Sequence, residues 1–487
     1  MADTYDLIAI GSGPAGESAT ELASFFGHRC AVIERARPGG TVTTTGGAPT
    51  KTLREAALYF SGLVDGDVYG IKISAPPEVA TEVIRKRTWE VCDLLQKVTR
   101  ENIAENHVDY IQGAARLDGD GKVIVICDDG SSRKLRAKVV LIATGSRPSR
   151  PPNIPFDVKG VCDTDTILHR GMVPKDMLIV GGGPVGVEFA TIAHALGAKV
   201  TIADRGNRLM TMMDGEITAC MEELFRAWGI RVLFGTTCDG IVARNGDLDA
   251  RMSTGETLSP DTVLFAAGRV ANTEDLGLDT AGVALDARGR IKVDRHFRTS
   301  AEDVYAAGDV LGPTLASVAM EHGRVAICHA FGIPFEGIVD PAPVSAIYGM
   351  PEVSGAGLTE EQCHKLSLDY EVGRADLART PRGAIAGRSG RLKLIFQKAD
   401  RKLVGVHCIG DIASEIVGIG QMTIRCGGTI DTIANMSLNT PTYSYAYKYA
   451  AFDGLRRLAG TREPSTKNVA GRCGPRQKRC EETGECK

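Results

Sequence analysis

The stretch YDLIAIGSGPAG, residues 5–16, decides the fold of the first part of the chain. An apolar run leads into Gly11, Gly13 and Gly16, and the pattern of a helix follows. The next apolar run, CAVIE, ends in Glu34, which lies 34 − 11 = 23 positions after the first glycine. Such glycines let a backbone approach a pyrophosphate, the helix N-terminus favours its charge, and the acid accepts a hydrogen bond from a ribose hydroxyl. We therefore predict a βαβ unit that binds a dinucleotide through these four residues.

The same pattern occurs a second time. In DMLIVGGGPVGVEF, residues 176–189, an apolar run leads into Gly181, Gly183 and Gly186. The following apolar run ends in Asp204, again 204 − 181 = 23 positions after the first glycine. Two such sites in one chain predict two different dinucleotides, a resident FAD and a visiting nicotinamide dinucleotide, NAD(P)H.

The end of the second unit bears on the choice between NADH and NADPH. Asp204 suits the free 2′-hydroxyl of NAD, whereas Arg205 and Arg208 stand close enough in sequence to receive a 2′-phosphate. We expect NADH to be the first choice, with NADPH tolerated. The alternative is that both arginines are solvated surface residues.

Further segments of the chain resemble one family in their order and spacing. Three of them are LIATGSRP (141–148), LFAAGRVANT (264–273) and VYAAGDV (304–310). Together with the two glycine motifs, they resemble the flavoprotein disulfide reductases. The resemblance continues through residues 345–362 and 403–422, which are similar to the C-terminal dimerisation domain of that family. It runs from the first strand to about residue 460.

The resemblance implies the architecture. We expect an α/β protein with two Rossmann-like dinucleotide-binding domains, one for FAD and one for NAD(P), and a C-terminal α+β dimerisation domain. A homodimer is expected, because the flavin site of this family takes residues from the partner subunit. The expected boundaries are residues 1–150 and 271–340 for the FAD domain, 151–270 for the NAD(P) domain, 341–460 for the dimerisation domain and 461–487 for a flexible, cysteine-containing tail.

The resemblance also assigns roles to single residues. The residues of the first glycine motif and Glu34 would hold the ADP half of FAD, and Asp309 would hydrogen-bond its ribityl chain. Lys51 would lie beside flavin N5 and pair with Glu188, where a cation stabilises the reduced flavin and the carboxylate orients the cation. The alternative is that Lys51 is an ordinary lysine in the first turn of a helix. The other implied cofactor-binding residues are Thr41, Thr144, Gly145 and Gly268.

The stretch GGTVTTTGGAPTK, residues 39–51, departs from the family. The family carries a Cys-x4-Cys disulfide there, but this chain has Val42 and Gly47. The His–Glu pair that the family's partner subunit supplies falls in NTPTYSYAY, where Thr440 and Tyr445 stand. Without a thiolate the chain has no means to reduce dihydrolipoamide, glutathione or mercuric ion.

Three hypotheses about the electron acceptor follow. In the first, a second nicotinamide dinucleotide enters the same site and takes the hydride in a ping-pong cycle. In the second, a quinone, an enone-like compound or oxygen binds on the vacated flavin face. Threonines 43 to 45 and the partner's Thr440, Tyr443 and Tyr445 would line that face. Tyr445 would donate the proton, or these tyrosines would only fill space. In the third, the protein is a redox-sensing flavoprotein without turnover, which the presence of Lys51 and Glu188 disfavours.

The composition of the chain excludes some classes of binding partner. The formal net charge is −3 and the basic residues form no stripe, so neither nucleic acid nor an anionic membrane is an expected partner. The sequence shows no leader pattern and no apolar run long enough to span a bilayer, so we expect a cytoplasmic protein. A long amphipathic helix with an apolar stripe facing the core is predicted over residues 78–106.

Cysteine usage predicts neither a disulfide framework nor a metal site. Ten of the 13 cysteines are scattered singly between Cys30 and Cys426, and buried reduced thiols are the preferred interpretation. The other three, Cys473, Cys480 and Cys486, lie in a Gly- and charge-rich tail that we expect to be a flexible appendage. Their spacing fits no common zinc pattern.

Overall fold

The computed structural model describes residues 3–61, 77–170, 173–244, 247–335 and 337–460. The tail cysteines Cys473, Cys480 and Cys486 lie outside the described residues. The helices are α1 Pro14–Phe25, α2 Gly40–Thr44, α3 Ala48–Ser61, α4 Pro77–Glu105, α5 Pro184–Ala195, α6 Gly215–Ala227, α7 Leu278–Ala281, α8 Ala316–Phe331, α9 Glu360–Lys365, α10 Pro381–Ala386, α11 Ala413–Arg425, α12 Ile430–Asn435 and α13 Ala446–Leu458.

The strands follow the same chain order. They are β1 Asp3–Ile10, β2 Cys30–Glu34, β3 Asp109–Gln112, β4 Ala114–Leu117, β5 Lys122–Ile126, β6 Ser132–Ile142, β7 Ser146–Pro148, β8 Val161–Asp163, β9 Asp176–Val180, β10 Lys199–Asp204, β11 Arg231–Phe234, β12 Cys238–Arg244, β13 Asp247–Met252, β14 Thr257–Leu258, β15 Thr262–Phe265, β16 Arg269–Ala271, β17 Val304–Ala306, β18 Ser345–Ile347, β19 Glu352–Gly357, β20 Tyr370–Asp376, β21 Arg391–Gln397 and β22 Leu403–Gly410.

The first sheet holds the first glycine motif. Its strand order is β3-β2-β1-β6-β5-β4, with β17 also paired to β6. Strand β1 is parallel to β2 and β6, and it is apolar on both faces because both faces are covered. Leu7 and Ala9 pack against α1 and α8, whereas Ile8 and Ile10 pack into a second core on the opposite face. The first glycine loop therefore lies at the carboxyl end of a central, fully buried strand.

The second sheet holds the second glycine motif. Its five strands are all parallel, in the order β11-β10-β9-β15-β8. One face packs against α5 and α6, and the other against the three-stranded sheet β12-β13-β14. The chain crosses between the first and second sheets twice. The crossing strands β7 and β16 pair with each other, with Arg147 opposite Val270.

The third sheet is antiparallel, in the order β18-β19-β22-β21-β20. Helices α11 and α13 cover one of its faces. The Tyr447 hydroxyl joins the two helices, because it donates to the carbonyl of Ile416 at 2.8 Å and accepts from the Gly420 amide at 3.0 Å. The first sheet is mixed, because β5 pairs antiparallel with β4 and β6, and the second is parallel. These two sheets with their helices, followed by an antiparallel sheet, confirm the predicted α/β fold class.

The long helix predicted over residues 78–106 is present as α4. Its buried residues recur every three or four positions, as expected of a helix with one face turned inward, but three of the six are polar, so the stripe is less apolar than predicted. These residues are Ile84, Thr88, Cys92, Gln96, Thr99 and Ile103. Within the described ranges, no helix is both long and apolar enough to cross a membrane.

The ten cysteines of the described ranges are all free. Eight are buried, which agrees with the prediction of buried thiols, but Cys127 is half-buried and Cys426 is exposed. Among the described residues, no cluster of His, Cys, Asp or Glu has the geometry of a metal site.

Candidate active site

The first glycine loop is closed so tightly that side chains do not fit in it. Gly11 has φ +109°, and a Cβ there would collide with the carbonyl oxygen of Ala143. A Cβ on Gly16 would collide with the carbonyl oxygen of Gly11. Gly13 caps α1 without a side-chain hydrogen bond, so the amides of the first turn are left for an anion.

Glu34 ties this loop to the end of β2. Its Oε2 accepts hydrogen bonds from the amide and the hydroxyl of Ser12, at 2.9 and 2.8 Å, and its Oε1 accepts from the Ala36 amide at 2.8 Å. The side chain is buried. Oε1 has capacity for a further donor, so the predicted bond to a ribose hydroxyl stays possible.

The second glycine loop repeats this geometry. A Cβ on Gly186 would collide with the carbonyl oxygen of Gly181, and Asp204 accepts from the amides of Gly182 and Gly206, both at 2.6 Å. A Cβ on Gly183 would meet no heavy atom within 4 Å. The N-terminus of α5 therefore faces open space, which suits a pyrophosphate.

The two arginines after Asp204 differ. Arg208 donates to the carbonyls of Thr211 and Met213, at 2.9 and 3.1 Å, and lies 3.4 Å from Glu361. The prediction that Arg208 could receive a 2′-phosphate is therefore wrong, because its guanidinium is held by the loop that follows. Arg205 is exposed, and its side chain has no hydrogen bond or ion pair within the described ranges. It remains the candidate.

Asp309 lies in a network that joins three segments. Its Oδ2 accepts from the Ser146 hydroxyl at 2.6 Å, and its Oδ1 accepts from the Thr314 amide at 2.8 Å. Arg269 donates to the hydroxyl and the carbonyl of Ser146, both at 2.8 Å. Sequence reasoning did not single out Ser146 or assign a role to Arg269, although both stand in the segments that carry the family resemblance.

Hydrogen bonds stabilise the antiparallel pair of strands β7 and β16, and they involve Thr144, Gly145 and Gly268. The Thr144 hydroxyl donates to the Asn272 carbonyl at 2.7 Å, and the Asn272 amide nitrogens donate to the carbonyls of Thr144 and Gly145, both at 2.9 Å. The Gly268 carbonyl accepts from the Ser149 amide at 3.0 Å. Contact of these residues with FAD stays a prediction.

Lys51 and Glu188 form the ion pair that the resemblance implied. Nζ lies 2.9 Å from Oε2 and 3.1 Å from Oε1, and Glu188 is nearly fully buried. Glu188 also accepts from the Tyr348 amide at 2.9 Å, and the Lys51 ammonium lies 4.9 Å from the centre of the Tyr348 ring. Lys51 lies in the first turn of α3, and its pair with a buried carboxylate disfavours the alternative of an ordinary helix lysine. Its place beside flavin N5 stays a prediction. Tyr348 was missed, because nothing in its local sequence shows that β18 ends beside α5.

Positions 42 and 47 lie against each other. A Cβ on Gly47 would stand 2.7 Å from the Cα of Val42. The Thr41 carbonyl accepts from the amides of residues 45, 46 and 47 and folds the loop back on itself. The hydroxyls of Thr43 and Thr44 donate to the carbonyls of Pro38 and Gly40, at 2.6 and 2.8 Å. The expectation that Thr43 and Thr44 line a pocket is therefore wrong, because their hydroxyls are held by backbone.

The C-terminal residues predicted to line the acceptor pocket differ in how exposed they are. Tyr443 is 6% exposed and belongs to the core of the third sheet, so its predicted place in a substrate pocket is wrong. Thr440 is exposed, and Tyr445 is half-buried with its ring 5.4 Å from that of Tyr449. The roles predicted for Thr440 and Tyr445 across a dimer stay predictions.

Among the described residues, several buried polar atoms near the predicted flavin site have no hydrogen-bond partner, and such atoms show whether the site suits a cofactor. Thr164 Oγ1, Asp165 Oδ1 and His322 Nδ1 have no hydrogen-bond partner within the described ranges. Arg269 lies 3.9 Å from both Asp165 and Asp309, and burial lowers the pKa of His322 while the negative charge of Asp309 opposes this. Native proteins rarely leave such groups unpaired. These three unpaired atoms fit a site for a large polar ligand such as FAD, bound at Asp309.

Comparisons with known proteins agree with this geometry. The family model for the pyridine nucleotide-disulphide oxidoreductases matches residues 5–323, and the model for the dimerisation domain of that family matches residues 344–451. The soluble pyridine nucleotide transhydrogenase of Mycobacterium bovis BCG is 38% identical over 459 residues, which cover 93% of this chain and 98% of that protein. The protein of the same name from Marinomonas is 35% identical over 460 residues, covering 93% and 99%.

Solved structures share the fold. LpdA from Mycobacterium tuberculosis superimposes with a TM-score of 0.86 at 24% identity, covering 94% of this chain and 100% of that one. The HOCl-induced flavoprotein disulfide reductase RclA from Escherichia coli gives a TM-score of 0.82 at 24% identity, covering 92% and 99%. The matched dimerisation domain supports a homodimer. This chain belongs to the pyridine nucleotide-disulphide oxidoreductase family and is an FAD-dependent oxidoreductase of nicotinamide dinucleotides.

Proposed function

We propose that this enzyme transfers a hydride from one nicotinamide dinucleotide to another through its FAD, without a redox-active disulfide. The observation that carries the proposal is the contact of Val42 with Gly47 in the loop that precedes Lys51, combined with the intact Lys51–Glu188 pair. The two relatives at 38% and 35% identity are named transhydrogenases, which supports this acceptor.

The loop from Gly40 to Gly47 supports the absence of sulfur chemistry. Neither Val42 nor Gly47 forms a thiolate, and thiol–disulfide exchange requires one. The close approach of position 47 to the Val42 backbone leaves no room there for a second sulfur. The ten cysteines of the described ranges are all free, and burial raises the pKa of most of them, which opposes thiolate formation.

The remaining residues suffice for hydride transfer. FAD supplies a ring that accepts and returns a hydride, and this exchange requires orientation of the two rings but no protein nucleophile. Lys51 brings a positive charge to the site, and Glu188 holds it in place. The Tyr348 ring packs against the ammonium group and limits its freedom.

A transhydrogenase that works by a ping-pong cycle must accept both nucleotides at one site. Asp204 is held by two backbone amides and faces a free 2′-hydroxyl without rearrangement. Arg205 follows it, is exposed and is free to meet a 2′-phosphate. The adjacent carboxylate of Asp204 and guanidinium group of Arg205 support binding of both NAD and NADP.

The test is an anaerobic two-step titration of the holoenzyme. We expect NADPH to bleach the flavin and NAD to restore its colour, and steady-state turnover of NADPH with a NAD analogue to give parallel double-reciprocal plots. A reductive titration should take two electrons per FAD, because no disulfide takes a further pair. Failure of NAD to reoxidise the flavin, or uptake of four electrons, would contradict the proposal.

A second candidate acceptor is a small quinone or enone-like compound. It is supported by the exposure of Thr41 and Gly46, which leaves the surface of the loop open in the single chain. In that case the NADH-reduced enzyme would be reoxidised by a soluble quinone and not by NAD or NADP. The titration above separates the two acceptors directly.

A further inference from the structure

The loop after β8 carries two buried polar atoms whose hydrogen-bonding capacity is not met within the described part of the chain. Thr164 Oγ1 and Asp165 Oδ1 have no hydrogen-bond partner within the described ranges. They are adjacent in sequence, in the part of the chain that belongs to the second sheet. Two neighbouring unpaired groups indicate a missing partner with hydrogen-bonding atoms.

The neighbour Asp163 shows that this loop does not need Asp165 for its own structure. Asp163 accepts from the amides of Asp165 and Thr166, and it binds Arg150 at 2.6 Å. Burial alone would raise the pKa of Asp163, but the hydrogen bonds from Thr166 and Arg150 lower it. Asp163 is thus the carboxylate that shapes the loop, whereas the carboxyl group of Asp165 faces out of the loop toward Arg269 and Thr45.

Asp165 faces the place where the FAD-binding residues converge. Its Oδ1 lies 3.9 Å from Arg269 Nη1, and Arg269 donates to Ser146, which in turn donates to Asp309. The side chain of Thr45, in the loop that replaces the disulfide, also interacts with the carboxyl group of Asp165. The carboxyl group therefore points from the second sheet toward the residues assigned to the flavin.

The charges around Asp165 leave it responsive to pH. Burial raises its pKa, and Asp163 adds to the increase, whereas Arg269, Thr45 and Arg150 lower it. The outcome is a pKa above the ordinary value of 3.8. Asp309 is two contacts away through Arg269 and adds negative charge to the same space.

We propose that Asp165, with Thr164, is the contact of the nicotinamide-binding region with the resident FAD, and that its carboxyl group tunes the flavin's reduction potential. When ionised, the carboxylate opposes the negative charge that a flavin gains on reduction; when protonated, it donates a hydrogen bond instead. Asp165 acts here as a positioning and tuning residue. The inference goes beyond the proposed function and does not depend on the identity of the electron acceptor.

The test is the flavin midpoint potential of purified holoenzyme, measured with redox dyes over a series of pH values. In Asp165→Asn, which keeps the shape and removes the charge, we expect a higher potential at alkaline pH. The reduced-to-oxidised ratio at fixed potential should rise about tenfold, which is about 30 mV for a two-electron couple. The difference from the wild type should shrink as the pH falls, because Asp165 then becomes protonated in the wild type.

Two further variants keep the test decisive. Asp157→Asn removes the same charge from an exposed position in the same region, and we expect no change in potential. Should Asp165→Asn lose its flavin, Asp165→Glu retains a titratable group and should keep the pH dependence with a displaced inflection. A potential of Asp165→Asn equal to the wild type at every pH, or an offset that does not vary with pH, would overturn the proposal. No second nucleotide is present in this measurement, so failure of transhydrogenation leaves its outcome unaffected.

Discussion

Lys393 and Asp214 form an ion pair in which both side chains are fully buried, with 2.8 Å between Nζ and Oδ1. Lys393 lies on β21 of the third sheet, and Asp214 caps α6 of the second by accepting from the Glu216 amide at 3.1 Å. The carboxylates of Glu216 and Glu360 also contact the ammonium group. The pair therefore joins the second sheet and its helices to the dimerisation domain through a buried contact.

Replacing Lys393 with Met should destabilise the protein strongly, because the fully buried carboxylate of Asp214 would lose its cation. Removing one partner of a buried pair costs about 3–5 kcal/mol. Calorimetry should show a clear fall in the thermal unfolding midpoint. Lys398→Met, which removes only an exposed pair with Asp369, should change stability by less than about 1 kcal/mol. Equal unfolding midpoints for the two variants would show that the buried pair stabilises the protein no more than the exposed pair does.

Lys51→Met and Glu188→Gln should slow flavin reduction without loss of FAD. The first removes the positive charge at the site, and the second removes the carboxylate that holds it. A preorganised charged group contributes a factor of about 100 to such a step. Stopped-flow reduction by NADH measures it. Lys97→Met, in an exposed pair with Glu101 on α4, serves as the control and should reduce at the wild-type rate. Flavin reduction at the wild-type rate in both site variants would show that the Lys51–Glu188 pair takes no part in hydride transfer.

Arg205→Gln should discriminate between the two nucleotides. Loss of a charged hydrogen bond to a 2′-phosphate weakens binding by roughly 1.5–3 kcal/mol, so the Kd for NADP should rise at least about tenfold. The Kd for NAD should stay within about twofold of the wild type, because Asp204 and not Arg205 is the residue predicted to receive the 2′-hydroxyl. Isothermal titration of the holoenzyme with each oxidised nucleotide gives both values. A parallel loss of NAD and NADP binding would point to a structural role for Arg205 instead.

Tyr445→Phe should leave hydride transfer between nicotinamides within about twofold of the wild type. That reaction needs no proton donor on the protein, and the half-buried Tyr445 ring packs on Tyr449 with or without its hydroxyl. Steady-state turnover of NADPH with a NAD analogue measures this. General-acid catalysis contributes a factor of about 100 or more. A loss of that size with a quinone, at an unchanged rate of flavin reduction, would favour the alternative acceptor.

Glu17→Gln should make the stability less dependent on pH. Burial between α1 and α4, together with the nearby Glu21, raises the pKa of Glu17 to about 7, although Asn102 and Thr99 partly offset this. The folded protein thus holds this proton more tightly than the unfolded chain. Stability therefore falls as the pH rises from the ordinary value of 4.5 to about 7. The variant should unfold at a higher temperature than the wild type at pH 8 and at a similar one at pH 4.5. The exposed residue Glu105, changed to Gln, is the control.

The features that sequence predicted best are those in which spacing along one segment determines the geometry. The glycine loops and their acids are of this kind, because a strand, a tight turn and a helix follow one another within about 30 residues. Lys51 and Glu188 are 137 residues apart. Sequence related them only through the family resemblance, because no local pattern shows that α3 and α5 meet.

The failures have one physical cause. Arg208, Thr43 and Tyr443 were assigned by closeness in sequence to a functional residue, but the direction of a side chain depends on the partners available to it. Backbone carbonyls hold the first two, and the core of the third sheet holds the last. The Asp165 Oδ1 atom, which lacks a hydrogen bond within the described ranges, could not be found from the sequence, because an unmet hydrogen bond is visible only when every neighbour is placed.

The pairing of β7 with β16 has a consequence for how the molecule is divided. Residues 146–148 and 269–271 lie antiparallel and side by side, so everything between them leaves and re-enters the first sheet through one narrow stem. A short hairpin grafted across this stem should reconnect the chain without moving β6 or β17. The segment that carries the second glycine motif is thus inserted into the first sheet at a single stem, and the stem is the natural place to exchange that segment for another.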